Sequence, residues 1–220
     1  MTNIPKSDDQ VDQWRSVMFL YDSALKKVNT KVEILNNEFA SRYDYNPIEH
    51  IKSRLKTADS IVKKLKKDGR QVSIENMMEH LSDIAGIRII CSFTSDIYQI
   101  ADMISRQRDV TVLHVKDYIK NPKPNGYKSY HMVVTVPVYL TDGPVETKVE
   151  VQIRSVAMDF WASLEHKIAY KFEGNAPEDL LRELKACADM VNVLDGKMFS
   201  LNEAITEFAK EQQKLVPSET

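Results

Sequence analysis

The chain has 220 residues, 43% hydrophobic and 28% charged, which is enough apolar side chain for a buried core and enough charge to stay in water. A net charge of −2 argues against general nucleic-acid binding, so any anion site must be a local patch. The two cysteines, Cys91 and Cys187, lie too far apart in sequence to suggest a disulfide framework or a cysteine metal site. No apolar run approaches the ~20 residues of a membrane span, and the first residues lack the basic-then-apolar layout of a secretory leader. A cytoplasmic protein is the expectation.

The first eight residues are polar and are expected to fray. From Asp9 to Phe39, apolar residues recur at helical spacing (Trp14, Val17, Met18, Tyr21, Leu25, Val28, Val32, Leu35, Phe39), which predicts a long amphipathic helix. Tyr43-Asp-Tyr-Asn-Pro47 breaks it. The same period continues from Pro47 to Lys67, with Asp68-Gly69 as the stop, and predicts a second helix. Its apolar face would be Ile51, Leu55, Ala58, Ile61, Val62 and Leu65. Lys56, Ser60 and Lys64 repeat at four-residue intervals on the other face, with Lys63 beside them. Arg54 falls on the apolar side, where a guanidinium needs a partner or a ligand. A solvated lysine face is the plain alternative.

Ser73–His80 reads as a short helix with Ser73 as N-cap. Ala85–Phe93 alternates as a strand, with Ile87, Ile89, Cys91 and Phe93 on one face and Arg88, Ile90 and Ser92 on the other; Asp83 stands just before it. Ser95 would cap a helix reaching Arg106, with Ile97, Ile100, Ala101 and Ile104 inward. Residues 110–115 and 129–138 read as strands on either side of a long loop. Thr141-Asp-Gly-Pro144 is a turn, so Val145–Arg154 should pair antiparallel with its predecessor. Thr147, Val149, Val151 and Ile153 would face the core, and Glu146, Lys148, Glu150, Gln152 and Arg154 the opposite side. Ser155 starts a helix to Phe172 with Val156, Phe160, Leu164 and Ile168 as a core stripe, ended at Gly174-Asn-Ala-Pro177. Glu178 to Gln213 is again helical and amphipathic (Leu180, Leu184, Cys187, Val191, Leu194, Phe199), followed by a polar tail. The pattern is α+β: a mixed, mostly antiparallel sheet of four or five strands flanked by helices. We read it as one domain over 1–220, with an N-terminal helix (1–45), a core (46–172) and a C-terminal helical region (173–220).

The loop between the strands, Lys116-Asp-Tyr-Ile-Lys-Asn-Pro-Lys-Pro-Asn-Gly-Tyr-Lys-Ser-Tyr-His131, cannot be helix or inner strand, because of Pro122, Pro124 and Asn125-Gly126. Its lysines beside Tyr127, Tyr130 and His131 suit a phosphorylated ligand with a flat base. A solvated basic loop whose tyrosines cap the core explains the same composition. Lys56, Ser60 and Lys64 would grip a triphosphate. Arg54 and Arg88 could flank a base, since guanidinium planes stack well. Asp83 and Glu150 together with phosphate oxygens and waters would form a Mg²⁺ site, suited to phosphoryl transfer.

Four separated segments resemble, in order, those of the RelA/SpoT-type (p)ppGpp synthetase family, and the chain's length is similar to that of its stand-alone members, the small alarmone synthetases. Ser53–Lys64 is similar to the family's ATP segment. Asp83–Arg88 resembles the motif with the Mg²⁺ aspartate and the second adenine-stacking arginine. The 116–131 stretch resembles the guanine-nucleotide loop, and Glu150–Arg154 the strand carrying the catalytic glutamate. The resemblance implies transfer of the ATP β,γ-pyrophosphate to the 3′-hydroxyl of GDP or GTP, with AMP released. It implies Asp83 and Glu150 as catalytic and metal-binding residues, with Glu150 drawing the proton from the hydroxyl. Arg54, Lys56, Ser60, Lys63, Lys64 and Arg88 would bind ATP. Tyr127 would stack on guanine; Lys116, Lys123 and His131 would hold the acceptor's phosphates; Gln152 would orient the sugar; Asp159 and Ala162 would meet the guanine edge.

The chain departs from the family in one motif. The basic motif before the loop usually opens with arginine and here reads His114-Val-Lys-Asp117, which bears on acceptor-phosphate binding and on GDP versus GTP preference. None of the five histidines is followed by aspartate, so synthesis without the hydrolysis of the long family members is expected. The resemblance also implies a homotetramer, for which the amphipathic terminal helices offer apolar stripes. An RNA-binding module would explain the lysines and Tyr127 but leave Asp83 and Glu150 repelling phosphate. Another nucleotidyltransferase would use similar parts and release pyrophosphate.

Overall fold

Five strands form one mixed sheet: β1 (Ile48–Leu55), β2 (Ala85–Cys91), β3 (Thr111–Asp117), β4 (Tyr130–Leu140) and β5 (Gly143–Ser155), ordered β1-β2-β5-β4-β3. Only the central β2–β5 pair is parallel. The structure is a computed structural model that describes residues 8–42, 45–172 and 176–215. The expected fraying of residues 1–7, the break at 43–44, the Gly174-Asn175 stop and the tail beyond 215 lie outside the described residues. The β4–β5 hairpin turns tightly, with Leu140 opposite Gly143, whose φ of 122° is open to glycine and strained for other residues.

The helices are α1 (Asp8–Arg42), α2 (Ala58–Lys67), α3 (Ile74–His80), α4 (Thr94–Ser105), α5 (Val156–Lys171) and α6 (Glu178–Leu215). Tyr21, Leu25, Val28, Val32 and Phe39 of α1, and Ile97, Ile100 and Ile104 of α4, share one buried core with Ile87, Ile89, Val149, Val151 and Ile153 of the sheet. Each such side chain contributes about 1.5–3 kcal/mol on burial, so this face holds the sheet. Strand alternation then leaves Arg88, Glu150 and Gln152 on the opposite face.

The predicted helix over 47–67 is wrong in its first half. Residues 48–55 are the edge strand β1, paired antiparallel with β2, and the helix begins at Ala58 behind an N-cap at Thr57. A bulge between Ile48 and His50 explains the misreading. It brings Ile48 and Ile51 onto one face with Leu55, opposite Cys91, Ile89 and Ala85, so a strand acquires the three-then-four spacing of a helix. Arg54 therefore lies on the polar face of a strand, opposite Gly86, and Lys56 precedes α2 instead of sharing its face with Ser60 and Lys64.

Three smaller expectations also change. Ser95 does not cap α4; the cap is Phe93, whose N–H donates to the Asp96 carboxylate (3.0 Å). On α5 the buried residues are Met158, Trp161 and Ala162, whereas Val156, Phe160 and Leu164 are exposed. On α6, Ala188 and Asp195 are buried while Leu194 and Cys187 of the expected stripe are exposed. Periodicity marks which side of a helix is apolar, not which side finds a neighbour.

Candidate active site

Register builds the site. Lys52, Arg88, Gln152, His131 and Lys116 are cross-strand partners, one from each strand, in a single row across the polar face. Arg54, Gly86 and Glu150 stand in the next row. A Cβ on Gly86 would meet nothing nearer than the Arg54 carbonyl oxygen at 4.0 Å. The missing side chain leaves the floor of a cleft lined by Lys52, Arg54, Arg88, Glu150 and Gln152.

Asp83, on the connection from α3 to β2, collects two ammonium groups. Lys56 Nζ donates to Oδ2 (2.5 Å), and Lys64 Nζ lies 2.9 Å from Oδ1. Lys64 stands off the line of a directed hydrogen bond, so Oδ1 is buried without a well-aligned donor. Burial pushes this carboxyl up, but the two lysines together outweigh it and hold it below its ordinary range. Ser60 and Lys63 sit on the exposed side of α2; the Ser60 N–H donates to Thr57 Oγ1, closing the helix start.

Glu150 has neighbours on both oxygens. His131 Nδ1 is 3.5 Å from Oε1, and Gln152 Nε2 donates to Oε2 (2.9 Å). Burial raises its pKa and Asp83 repels it, yet His131 and Gln152 hold it below the ordinary value. The other ring nitrogen of His131 is 2.8 Å from the Tyr127 hydroxyl. Both His131 nitrogens thus face protein groups.

Two residues beyond Gln152 on β5, opposite Ile90, lies a residue to which sequence reasoning gave a face but no task. Arg154 is buried, and its guanidinium donates to Ser129 Oγ (3.3 Å), Asp159 Oδ1 (3.1 Å), Tyr127 Oη (2.6 Å) and Gln152 Oε1 (3.0 Å). Arg88 Nη1 also reaches Asp159 Oδ1 (3.2 Å), while Arg88 Nε is buried with no hydrogen-bond partner among the described residues. Burial, then Arg154, lower the Arg88 pKa, with Asp159 opposing them. The only sequence signal for Arg154 was its period-two spacing from Glu150 and Gln152.

The loop is fastened rather than free. The Asp117 carboxylate accepts from the N–H groups of Ile119 and Lys120. Asn125 donates to Glu165 on α5 (3.2 Å), and a Cβ on Gly126 (φ 87°) would stand 2.5 Å from the Ala188 side chain of α6. Tyr127 is consequently half-buried. It packs against Trp161, Ala162 and Ala188, with Lys123 Nζ 4.7 Å from its ring centre. Lys116 is exposed, as is Lys123, and Ala162 is buried behind Tyr127.

Among the described residues no cluster of three or more His, Cys, Asp or Glu could hold a metal. Asp83 and Glu150 nonetheless fit Mg²⁺, which takes one or two carboxylates and completes its shell with phosphate oxygens and water. The buried, undirected Oδ1 of Asp83 is the observation that favours it.

Residues 53–175 match the model of a region found in RelA/SpoT proteins. The chain belongs to the RelA/SpoT family. It is 45% identical over 195 residues to the GTP pyrophosphokinase YwaC of Bacillus subtilis, covering 89% of this chain and 93% of that one. Its fold matches small alarmone synthetase 2 from Bacillus subtilis (TM-score 0.79, 44% identity, 87% of this chain and 99% of the other). It also matches small alarmone synthetase 1 of that organism bound to its product pppGpp (TM-score 0.81, 33% identity, 88% and 98%). The same synthetase bound to AMPCPP matches at TM-score 0.75 with 30% identity, over 89% and 99%. The α+β expectation and the RelA/SpoT resemblance both stand.

Proposed function

We propose that this chain is a GTP pyrophosphokinase that transfers the terminal pyrophosphoryl group of ATP to the 3′-hydroxyl of GDP or GTP, releasing AMP. The observation that carries this reading is a cleft lined by Arg54, Arg88 and Glu150, with Asp83 and its two lysines near enough for Asp83 to act on the Glu150 charge, in a chain of this family. Arg54 and Arg88 would flank the adenine. Lys56 and Lys64 would leave Asp83 for the phosphates, with Ser60 and Lys63 beside them. The acceptor's 3′-oxygen attacks the β-phosphorus, the bond from that phosphorus to the α,β-bridging oxygen breaks, and AMP leaves with that oxygen. Glu150 takes the hydroxyl proton, for which its ionised state is suited. Mg²⁺ held by Asp83 and Glu150 would offset charge on the phosphate oxygens.

Tyr127, Gln152, Asp159 and Ala162 would receive the acceptor nucleoside, and Lys116 and Lys123 its phosphates. His131 would join them by exchanging one of its protein contacts for phosphate. No helix among the described residues is long and apolar enough to cross a membrane, and we place the enzyme in the cytoplasm with its nucleotides. Leu181, Met190, Val193, Leu194, Met198 and Leu201 stay exposed along α6, which supports assembly as a homotetramer. A monomer by light scattering at micromolar concentration would end that part of the reading.

The test is incubation with Mg²⁺, ATP labelled in its terminal phosphate, and GDP or GTP. AMP and a labelled guanine nucleotide are expected. Release of free pyrophosphate with no AMP would mean nucleotidyl transfer and overturn the proposal.

A further inference from the structure

Arg154 is buried, with its side chain only 5% exposed. A buried guanidinium is costly unless its donors are paired, and four hydrogen bonds here leave little unpaired. Its partners come from three separate pieces of chain: Ser129 and Tyr127 of the loop, Gln152 on its own strand and Asp159 on α5. Of these, Tyr127, Gln152 and Asp159 are the residues assigned above to the acceptor nucleoside. One rigid planar fork therefore sets a ring, an amide and a carboxylate relative to one another.

The Asp159 contacts carry the argument further. Arg154 and Arg88 both donate to Oδ1, and among the described contacts Oδ2 has no protein donor. Two guanidinium groups on one oxygen fix the rotation of the carboxylate and leave the other oxygen to accept from a ligand. Guanine offers two adjacent donors, N1–H and the 2-amino group; adenine offers an acceptor at N1 and no 2-amino group. Resting on the acceptor assignment above, we propose that Arg154 is the positioning residue that makes the acceptor corner select guanine, acting through Asp159 and Tyr127. Lysine cannot replace it, because an ammonium group has three donors and no planar fork, and the guanidinium reaches four partners at once.

The test uses the 220-residue chain and four variants, R154K, D159N, the R154K/D159N double variant and Y127F. The readouts are KM for GDP, KM for IDP (which lacks the 2-amino group) and calorimetric affinity for AMPCPP. R154K is expected to raise the KM for GDP about tenfold and to shrink the GDP-over-IDP preference by a similar factor. AMPCPP affinity should stay within about threefold, a split that general loss of structure would not give. D159N should lose the same preference, and R154K with D159N should lose little more than either alone. If D159N changes neither GDP KM nor the preference, the acceptor assignment fails and takes the proposal with it. If D159N changes both and R154K changes neither, the assignment stands and the proposal falls. Equal losses of GDP and AMPCPP binding in R154K would also overturn it. Should R154K fail to fold by circular dichroism, Y127F decides through the GDP-over-IDP preference, because it deletes only the hydroxyl that Arg154 and His131 share, and His131 is assigned to the phosphates that GDP and IDP have in common. A fall in that preference of about threefold supports the proposal, and an unchanged preference rejects it.

Discussion

The two ends of the cleft are built differently. At the proposed donor end, Lys56 and Lys64 are long, partly exposed chains that share Asp83 as a partner. At the proposed acceptor end, Arg154, Tyr127, His131 and Asp159 each have several partners, and the loop that carries Tyr127 and leads into His131 on β4 is pinned to α5 and α6. The donor end is neutralised by contacts that a nucleotide can replace one for one. The acceptor end is fastened by contacts among its own residues. Removing a charge from the donor end should therefore redistribute binding, while removing a group from the acceptor end should simply lose it.

Glu150 sits where the two ends meet, and its loss should have the largest effect. E150Q keeps the size and removes both charge and basicity, so kcat is expected to fall by at least about two decades. AMPCPP affinity should barely change. Rapid-quench measurement of AMP release at saturating Mg²⁺ and both nucleotides checks this; a rate within about tenfold of wild type would mean another base.

Tyr127 tests the fastened end. Y127A removes a ring that both packs on Ala162 and Ala188 and is proposed to meet the acceptor base. A base stack is worth about 1–3 kcal/mol, so the acceptor KM should rise roughly tenfold or more. An unchanged KM in a protein with wild-type circular dichroism would contradict the role.

Asp83 tests the exchangeable end and should move binding in the opposite direction. D83N releases Lys56 and Lys64 while removing a proposed metal ligand. In EDTA, the variant should bind AMPCPP more tightly, by about fivefold for an ion pair worth near 1 kcal/mol. With Mg²⁺, its turnover should fall. Weaker metal-free binding in calorimetry would break the comparison, because the lysines would then need Asp83 to hold them in place.

Asp109 calibrates the same motif away from the cleft. It too pairs with two lysines, Lys27 (2.9 Å) and Lys31 (2.7 Å) of α1. Those hydrogen bonds, Lys31 first, pull its pKa from 3.8 to about 2. A depressed carboxylate stabilises the fold above its unfolded pKa and loses that contribution as pH falls through the folded one. D109N should lower Tm slightly at pH 7, in line with a stability loss of about 1 kcal/mol or less for this partly exposed cluster. The difference from wild type should fade between pH 4 and about 2. A difference that persists below pH 2 would show a role other than charge.

Local chemistry made several parts of this protein legible in one dimension. The period-two alternation of residues 145–154 placed Glu150, Gln152 and Arg154 on one face, because a strand admits no other arrangement of side chains. The Pro122, Pro124 and Asn125-Gly126 punctuation marked the loop, and Ser73 marked a helix start, its hydroxyl accepting from the Asn76 N–H. These features depend on a residue and its near neighbours in sequence. The tertiary structure decided the rest. One inserted residue at a sheet edge turned a helical spacing into strand β1 and moved Arg54 to the cleft. The unused side of α6 stayed apolar and exposed because periodicity says nothing about neighbours. Arg154 had no legible role, because a guanidinium acts through partners, and its partners at 127, 129 and 159 meet only when strand register and α5 bring them together.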